Sequence, residues 1–432
     1  MARIKPFPRT RTSCGISSEC CARRATAGLR SSARRNSARI RLRCSRTWGE
    51  SSMNWYAMIA LAGLLAVSVS AGASERPGGI GVYCRLTNVV KSPSQLRDTM
   101  KRMKAAGIDF ILPSGKGTSG MVNWDSKVAP KAMVGDATYM DTVVKYAHAA
   151  GLKVYPVFCV CPEGGEGKPD AVLEKNPSWA WFADGDRRGY IDPGNPDARR
   201  YEASLMAELA ANYDIDGISL DYMRCPNRVG YTDTGRAEFV KKYDVDLAKI
   251  VDIGSETLDT EGGKKAINEV HASARTNPIW PKWKKWRTEQ LNTFMGELHA
   301  AVNKAKPGLP ISSYVWGYHT YTGSFETCQD WVSWIDKGWL DWINPSGYRY
   351  DDKAFLEAAR LNRAHVRKGF PFYITIGVLT SHGKLSSAAE IRHQMQMARD
   401  CGAEGLVFFT WESLEPFADE VGPDIRAWSA NE

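Results

Sequence analysis

The sequence lacks the short motifs that mark several common enzyme classes. It has no His-x-x-x-His pair, no Gly-x-Ser-x-Gly turn and no phosphate-binding P-loop, and only 7 of its 432 residues are His. Metalloproteases, serine hydrolases and nucleotide hydrolases need their ligands or nucleophile at those spacings. The absences therefore argue against all three classes, and no cofactor is predicted.

The excess of positive charge is confined to one end of the chain. Residues 1–52 hold 13 Lys and Arg against two acids, so the 57 basic and 48 acidic residues of the whole leave 44 and 46 for the remainder, a net charge of −2. A basic stretch without apolar periodicity is usually disordered. We interpret residues 1–52 as a basic extension upstream of the true start at Met53, with a polyanion-binding arm as the alternative. No nucleic-acid partner is predicted.

An uncharged segment follows at residues 53–73 and ends in Ala71-Gly-Ala73. A short apolar run that closes on small residues is typical of a cleaved signal peptide. The sequence therefore predicts export to the periplasm or the medium. An uncleaved membrane anchor is the alternative, and no other membrane partner is expected.

Ten cysteines are present, four of them in the first 52 residues. The other six are Cys84, Cys159, Cys161, Cys225, Cys328 and Cys401. An even number in an exported protein is compatible with disulfides. Cys159 and Cys161 do not have zinc-knuckle spacing. We expect buried small side chains or one or two bridges, and no metal site.

Eight short apolar runs alternate with amphipathic segments from residue 79 onward. The predicted strands are 80–85, 108–113, 152–159, 215–221, 310–316, 341–345, 371–377 and 404–410. The predicted helices are 93–106, 138–150, 196–212, 283–305, 329–337, 352–367 and 387–401. This alternation predicts an α/β fold, a (β/α)8 TIM barrel over residues 79–415, with 416–432 as a C-terminal tail. A doubly wound open sheet is the alternative, but no Gly-rich phosphate fingerprint follows the first strand.

Several helix ends have local signals. Gly107 and Gly151 stand where a left-handed C-terminal cap is expected, and Asn195-Pro196 is typical of a helix start. Long loops follow strands 3 and 4, at residues 160–195 and 222–282. Barrel enzymes bind substrates at this end of the strands, so we interpret both loops as cleft walls, with decorative surface loops as the alternative.

Asp221 closes the predicted fourth strand. Alternation along the strand puts Ile218 and Leu220 on the helix side, and Ser219 and Asp221 on the barrel interior. An unpaired buried carboxylate costs several kcal/mol. We therefore predict that Asp221 is catalytic, as nucleophile or electrostatic stabiliser, with capping of a loop amide as the alternative.

Glycoside hydrolysis generally uses two carboxyl groups on either side of the scissile bond. Glu412, just past the eighth strand, is the candidate for the second, as a general acid/base. It could instead begin a solvent-facing helical turn. Asp192, Glu326 and Asp330 are rival candidates, although Asp192 could merely shape the turn before residue 196.

Aromatic and Arg side chains are predicted to bind substrate at the same end. The aromatic candidates for stacking on sugar rings are Trp179, Trp181, Trp316, Tyr348 and Trp411. Arg85, Arg224 and Asp192 are the candidate polar contacts, and Arg224 could also keep Asp221 ionised. Four tryptophans that recur at helical spacing are predicted to pack in the core: Trp283, Trp286, Trp331 and Trp334.

Three segments resemble signatures of the bacterial glycosyl-hydrolase-like family 10 barrels. They are Asp216-Gly-Ile-Ser-Leu-Asp-Tyr-Met-Arg-Cys-Pro226, Trp283-Lys-Lys-Trp-Arg-Thr-Glu-Gln-Leu291 and Gln329-Asp-Trp-Val-Ser-Trp-Ile-Asp-Lys-Gly-Trp-Leu-Asp-Trp-Ile-Asn-Pro345. The resemblance covers roughly residues 79–415. It implies a TIM-barrel glycosidase with the fourth-strand aspartate, here Asp221, in the active site. Cys225 stands where many members have Tyr.

The sequence thus predicts a glycoside hydrolase that cleaves an O-glycosidic bond in an extracytoplasmic poly- or oligosaccharide. A TIM barrel that binds glycans without cutting them is the first alternative. An exported barrel with a purely structural role is the second.

Overall fold

The computed structural model describes residues 79–429, except 87, 130–137, 165–168, 184–185, 226–229, 247–277 and 319–326. The predicted basic extension (1–52) and signal peptide (53–73) lie outside the described residues, as does the candidate carboxylate Glu326. No helix in the described ranges is long and apolar enough to cross a bilayer.

Parallel strands follow one another around a barrel in chain order. The strands of the described chain are β1 (Ile80–Cys84), β2 (Phe110–Lys116), β3 (Lys153–Val154), β4 (Val157–Cys159), β5 (Ala180–Ala183), β6 (Asp186–Ile191), β7 (Ile218–Asp221), β8 (Ile311–Val315), β9 (Trp342–Pro345), β10 (Tyr373–Gly377), β11 (Leu379–Thr380), β12 (Gly383–Lys384) and β13 (Gly405–Phe409). The sheet runs β10-β13-β1-β2-β4-β7-β8-β9, and β3 also pairs with β2. A parallel bridge between Ile343 and Phe372 joins β9 to the start of β10. The eight strand positions therefore form a nearly closed barrel, which confirms the predicted (β/α)8 fold.

The third barrel position differs from the prediction of one strand over 152–159. It is divided into β3 and β4 at Pro156 because proline has no N–H to donate to a neighbouring strand. β2 in turn continues to Lys116, three residues beyond its predicted end. This extension places the Lys116 side chain beside Phe158 of β4, with Nζ 5.5 Å from the ring centroid.

Helices connect the strands. They are α1 (Pro93–Ala105), α2 (Tyr139–Ala149), α3 (Ala171–Lys175), α4 (Pro196–Asn212), α5 (Asp233–Tyr243), α6 (Trp280–Ala305), α7 (Trp331–Asp336), α8 (Asp352–Ala364), α9 (Ala388–Asp400), α10 (Trp411–Leu414) and α11 (Ala418–Ser429). The predicted caps are confirmed. Gly107 and Gly151 have φ angles of +93° and +76° after α1 and α2, and the Asn195 side chain accepts hydrogen bonds from the first turn of α4.

The long loops contain structure of their own. Residues 160–195 include α3 and the antiparallel pair of β5 and β6, while the described part of 222–282 includes α5. After residue 415, in the predicted C-terminal tail, α11 buries Val421, Ile425 and Trp428 in the apolar core. Folded structure thus extends beyond 415.

Apolar side chains form two layers. Inside the barrel lie Tyr83, Phe110, Leu112, Tyr155, Trp342, Tyr373 and Val407. The larger layer lies between strands and helices and includes Ile218 and Leu220, as predicted for the outward face of β7. Trp283, Trp286, Trp331 and Trp334 are at most 2 % exposed, which confirms that they are core residues. The six cysteines from Cys84 onward are free and buried.

Candidate active site

Asp221 ends β7 and keeps some exposed surface. Its Oδ1 accepts a hydrogen bond of 2.6 Å from the backbone N–H of Tyr222, which has a φ of +52°. Burial raises the pKa of Asp221 to about 6, although nearby Arg224 and the Tyr222 N–H oppose the increase. This carboxyl group therefore changes its protonation state close to neutral pH.

Arg224 lies beside Asp221 and is only 8 % exposed. Its guanidinium carbon is 4.5 Å from the ring centroid of Tyr222 and 4.7 Å from that of Trp316. Its Nη1 is buried and has no hydrogen-bond partner among the described residues. Because an unused buried donor is costly, this nitrogen is suited to an oxygen atom of a ligand.

Three tyrosines, Tyr83, Tyr314 and Tyr348, form a cluster around Asp221. Burial raises all three pKa values, and the Asp221 charge raises them further. The rings of Tyr314 and Tyr348 are stacked with centroids 6.0 Å apart. Since the hydroxyls stay protonated near neutral pH, they keep their ability to donate hydrogen bonds.

Asn344 extends the tyrosine cluster from β9. Its Nδ2 donates to the Tyr83 hydroxyl at 3.1 Å and to Thr375 Oγ1 at 3.2 Å. Of this group, only Tyr348 was predicted from the sequence. The alternation rule that pointed to Asp221 applies equally to Tyr83 near the end of β1 and would have found it.

A buried charged group, the Lys116 cluster, consists of Lys116, Glu163 and Glu202. Lys116 Nζ lies 2.7 Å from Glu163 Oε1 and 3.2 Å from Glu202 Oε1, and all three side chains are fully buried. Burial alone would lower the pKa of Lys116, but the two carboxylates reverse this effect and raise it. Burial and Glu163 raise the pKa of Glu202, against the attraction of Lys116.

The Lys116 cluster is linked to Asp221 through the backbone. Lys116 Nζ donates to the carbonyl oxygens of Cys159 at 3.0 Å and Pro162 at 2.9 Å. Between them, the N–H of Val160 donates to the Asp221 carbonyl oxygen at 2.9 Å. Lys116 is therefore a positioning residue for the end of β7. Its role was not predicted because β2 was expected to end before it.

Glu412, the predicted second carboxylate, is exposed at the start of α10. Its Oε1 accepts hydrogen bonds from the backbone N–H groups of Arg85 at 2.8 Å and Leu86 at 3.5 Å. It lines a cleft of about 620 Å³ together with Phe409, Trp411 and other residues, and Asp221 is not in that lining. Among the described residues, the cleft that Glu412 lines therefore does not include Asp221.

Phe409 adjoins both the Glu412 cleft and the tyrosine cluster. Its ring lines the Glu412 cleft and packs on Tyr83 and Tyr348 with centroids 5.4 Å away in each case. The cleft and the tyrosine cluster are thus neighbours at the same end of the barrel.

Asp192 and Trp181 are buried structural residues rather than parts of an open cleft. Both are 0 % exposed. Asp192 forms an ion pair with Arg287 and accepts hydrogen bonds from Thr232 Oγ1 at 2.5 Å and the N–H of Gly194 at 2.8 Å. The Arg287 guanidinium lies 4.3 Å from the Trp181 ring centroid. The turn-shaping alternative describes Asp192 better than substrate binding.

The remaining candidates, Trp411, Trp316 and Asp330, differ in burial and in hydrogen bonding. Trp411 is 2 % exposed, and Trp316 is partly buried under Arg224. Asp330 caps α7 by accepting hydrogen bonds from Ser333, which accounts for its carboxylate. Within the described ranges, no group of three or more His, Cys, Asp or Glu is arranged to hold a metal ion.

Known proteins with similar sequences include carbohydrate-related ones. Glycosyl hydrolase DigH of Escherichia coli K12 is 22 % identical over 323 residues, which is 64 % of this chain and 65 % of DigH. An S-layer-related protein of Niallia circulans is 19 % identical over 369 residues, 71 % of this chain and 21 % of that protein. The chain thus spans just under two thirds of the first relative and about a fifth of the second.

Solved structures with a similar fold include glycosidases. The PgaB (BpsB) glycoside hydrolase domain of Bordetella bronchiseptica has a TM-score of 0.58 at 15 % identity, covering 80 % of this chain and 98 % of that one. The β-amylase catalytic domain of Paenibacillus polymyxa has a TM-score of 0.53 at 15 % identity, with the same coverage. At this identity the likeness concerns the fold, which is of the glycosidase type. The family model described as glycosyl hydrolase-like 10 matches residues 79–382, and the chain belongs to that family.

Proposed function

We propose that this protein is a glycoside hydrolase in which Asp221 is the general acid/base, in place of the nucleophile or stabiliser role expected from the sequence. The observation that carries the proposal is the position of Asp221 at the carboxyl end of β7 with a pKa raised to about 6 by burial. A catalytic acid works best when its pKa lies near the working pH. Asp221 in its protonated form would donate to the leaving oxygen of the glycosidic bond.

The surrounding groups are suited to a sugar. The tyrosine hydroxyls are hydrogen-bond donors for ring hydroxyls, and Arg224 Nη1 is a buried donor without a partner. Trp316, held under Arg224, offers an aromatic face. The substrate we propose is a poly- or oligosaccharide outside the cytoplasm. The predicted signal peptide and the carbohydrate-active relatives support this location and substrate class.

Glu412 remains our proposed second carboxylate. It is exposed in a cleft next to the tyrosine cluster, and the backbone N–H groups of Arg85 and Leu86 keep its carboxylate oriented. Phe409 lies in the Glu412 cleft and packs on Tyr83 and Tyr348 of the tyrosine cluster, and we propose that the sugar chain passes over it. Retaining enzymes have the two carboxyl groups about 5–5.5 Å apart and inverting enzymes about 6.5–9.5 Å.

Glycan binding without cleavage is the second candidate function. It is favoured by one observation: Glu412 lines a cleft that does not include Asp221. In that case the aromatic and Arg side chains would bind a sugar chain that is never cut.

Hydrolysis and binding should be measured together. The wild-type protein and Asp221→Asn would be incubated with cell-wall, capsular and plant polysaccharides, followed by detection of reducing ends and of bound glycan. Release by the wild type alone, with binding by both, supports the hydrolase. Binding by both with no release from any polysaccharide contradicts it and favours the binding barrel.

A further inference from the structure

Cys225 and Cys328 lie side by side at the active-site end of the barrel. The backbone N–H of Cys225 donates to the carbonyl oxygen of Thr327 at 3.0 Å, which places residue 328 next to residue 225. The neighbouring Cys328 raises the pKa of Cys225, Cys328 Sγ lies 3.9 Å from the carbonyl oxygen of Lys284, and both cysteines are 0 % exposed. The site as described above does not use either thiol.

We propose that Cys225 and Cys328 form a disulfide bond in the exported protein. The proposal rests on the extracytoplasmic location proposed above, because disulfides persist in oxidising compartments. It is independent of the reaction that the barrel catalyses.

The bond forms by thiol–disulfide exchange with a protein or small-molecule disulfide. One cysteine thiolate attacks that disulfide to give a mixed disulfide, and the second cysteine then displaces the carrier. Two S–H bonds are lost and one S–S bond is made. The two electrons reduce the oxidant to two thiols, and the protons pass to its sulfurs or to water.

Burial determines when this exchange takes place. In the folded protein, burial and the neighbouring Cys328 raise the pKa of Cys225, so the reactive thiolate is suppressed and an oxidant cannot reach it. The bond therefore forms before folding buries the two cysteines. Once formed, it is protected from reductants by the same burial.

The bond would fix two neighbouring parts of the site. Cys225 follows Arg224 directly, and Cys328 precedes Gln329. The Gln329 side chain accepts a hydrogen bond from the N–H of Trp316 at 2.8 Å and donates to the Met223 carbonyl oxygen at 3.2 Å. A covalent link between these two segments holds the Arg224 guanidinium against the Trp316 ring.

Peptide mapping tests the proposal without any variant. The full-length chain would be expressed with its own N-terminus, recovered from the extracytoplasmic fraction, unfolded in N-ethylmaleimide and digested without reductant. We expect most molecules to yield the Cys225 and Cys328 peptides joined, whereas the Cys84 and Cys401 peptides are alkylated. Alkylation of both Cys225 and Cys328 in most exported molecules would overturn the proposal, as would a chain that is never exported.

Thermal unfolding measures the effect of the bond on stability. Because the link closes a loop of roughly 100 residues, wild type that has been unfolded with reductant and refolded in its presence should have a Tm about 5 °C or more below that of the untreated protein. The same treatment should leave the Tm of Cys225→Ser unchanged, while Cys401→Ser should respond as the wild type does. Equal reductant responses in all three proteins would contradict the proposal. A protein that carries the bond and cuts no glycan would contradict the hydrolase proposal alone.

Discussion

The guanidinium carbon of Arg224 lies 4.7 Å from the centroid of the Trp316 ring. This contact joins the end of β7 to the end of β8 and holds a positive charge beside Asp221. The same charge opposes the increase in the pKa of Asp221 that burial causes. Arg224 therefore acts on both the shape and the acidity of the candidate site.

Removal of the Arg224 charge should move the pH profile of activity. Arg224→Met eliminates a cation that lowers the pKa of Asp221, so that pKa should rise by about 1 unit. If protonated Asp221 is the acid, the alkaline limb of kcat/KM moves to higher pH by the same amount. Arg224→Lys keeps the charge and should leave the limb near its original pH, although the flat contact with Trp316 is lost. Identical limbs in Arg224→Met and the wild type would exclude Asp221 as the titrating group.

Asp221→Asn should stabilise the fold above pH 6. The pKa of Asp221 is higher in the folded protein than in the unfolded chain, so ionisation disfavours folding and stability is lost as the pH rises from about 4 to about 6. The amide cannot ionise, and it should therefore gain about 2 kcal/mol at pH 7 and almost nothing at pH 4. Chemical denaturation of both proteins at the two pH values measures the difference. If Asp221→Asn is less stable than the wild type at pH 7, ionised Asp221 does not destabilise the folded protein.

Lys116→Met should destabilise the protein strongly. It leaves Glu163 and Glu202 buried without their cation, which costs about 3–5 kcal/mol. Glu202→Gln is the matched control. It leaves one cation and one carboxylate, and it replaces a group whose raised pKa already favours the neutral form, so it should cost about 1 kcal/mol or less. Denaturant midpoints that shift equally for both variants would contradict this account of the Lys116 cluster.

Glu412→Gln tests the second carboxylate. If Glu412 is the catalytic partner of Asp221, this substitution should lower kcat by about 100-fold or more. Glu357→Gln changes the same charge on the exposed side of α8, where the carboxylate pairs with Lys353, and should leave kcat within about twofold. Equal kcat values in the two variants and the wild type would remove Glu412 from the mechanism and direct the search to other carboxylates.

Local signals in the sequence predict most of the barrel. Helix ends at Gly107 and Gly151 and the start at Asn195 depend on neighbouring residues alone, and the structure confirms them. Alternation along 215–221 separates Ile218 and Leu220 from the inward face. These features need no knowledge of distant contacts, which is why the sequence is sufficient for them.

Features that depend on distant contacts were not predictable. From its sequence neighbours, Asp192 is indistinguishable from an exposed loop carboxylate. Its burial depends on the ion pair with Arg287, which is 95 positions away in the sequence. The Lys116 cluster likewise joins residues from three separate segments. The strand before Glu412, β13, lies four strands away from β7 around the barrel, so chain order does not place Glu412 beside Asp221. Its carboxylate is instead oriented by the backbone N–H groups of Arg85 and Leu86 after β1.

The kcat of Asp221→Asn relative to the wild type tests the central claim most directly. Both proteins would be assayed on any polysaccharide that the wild type cuts, with the Tm of each variant as the control for folding. The account predicts a loss of about 1,000-fold or more in kcat with a Tm at least as high as that of the wild type. A folded Asp221→Asn that retains the wild-type kcat would contradict it.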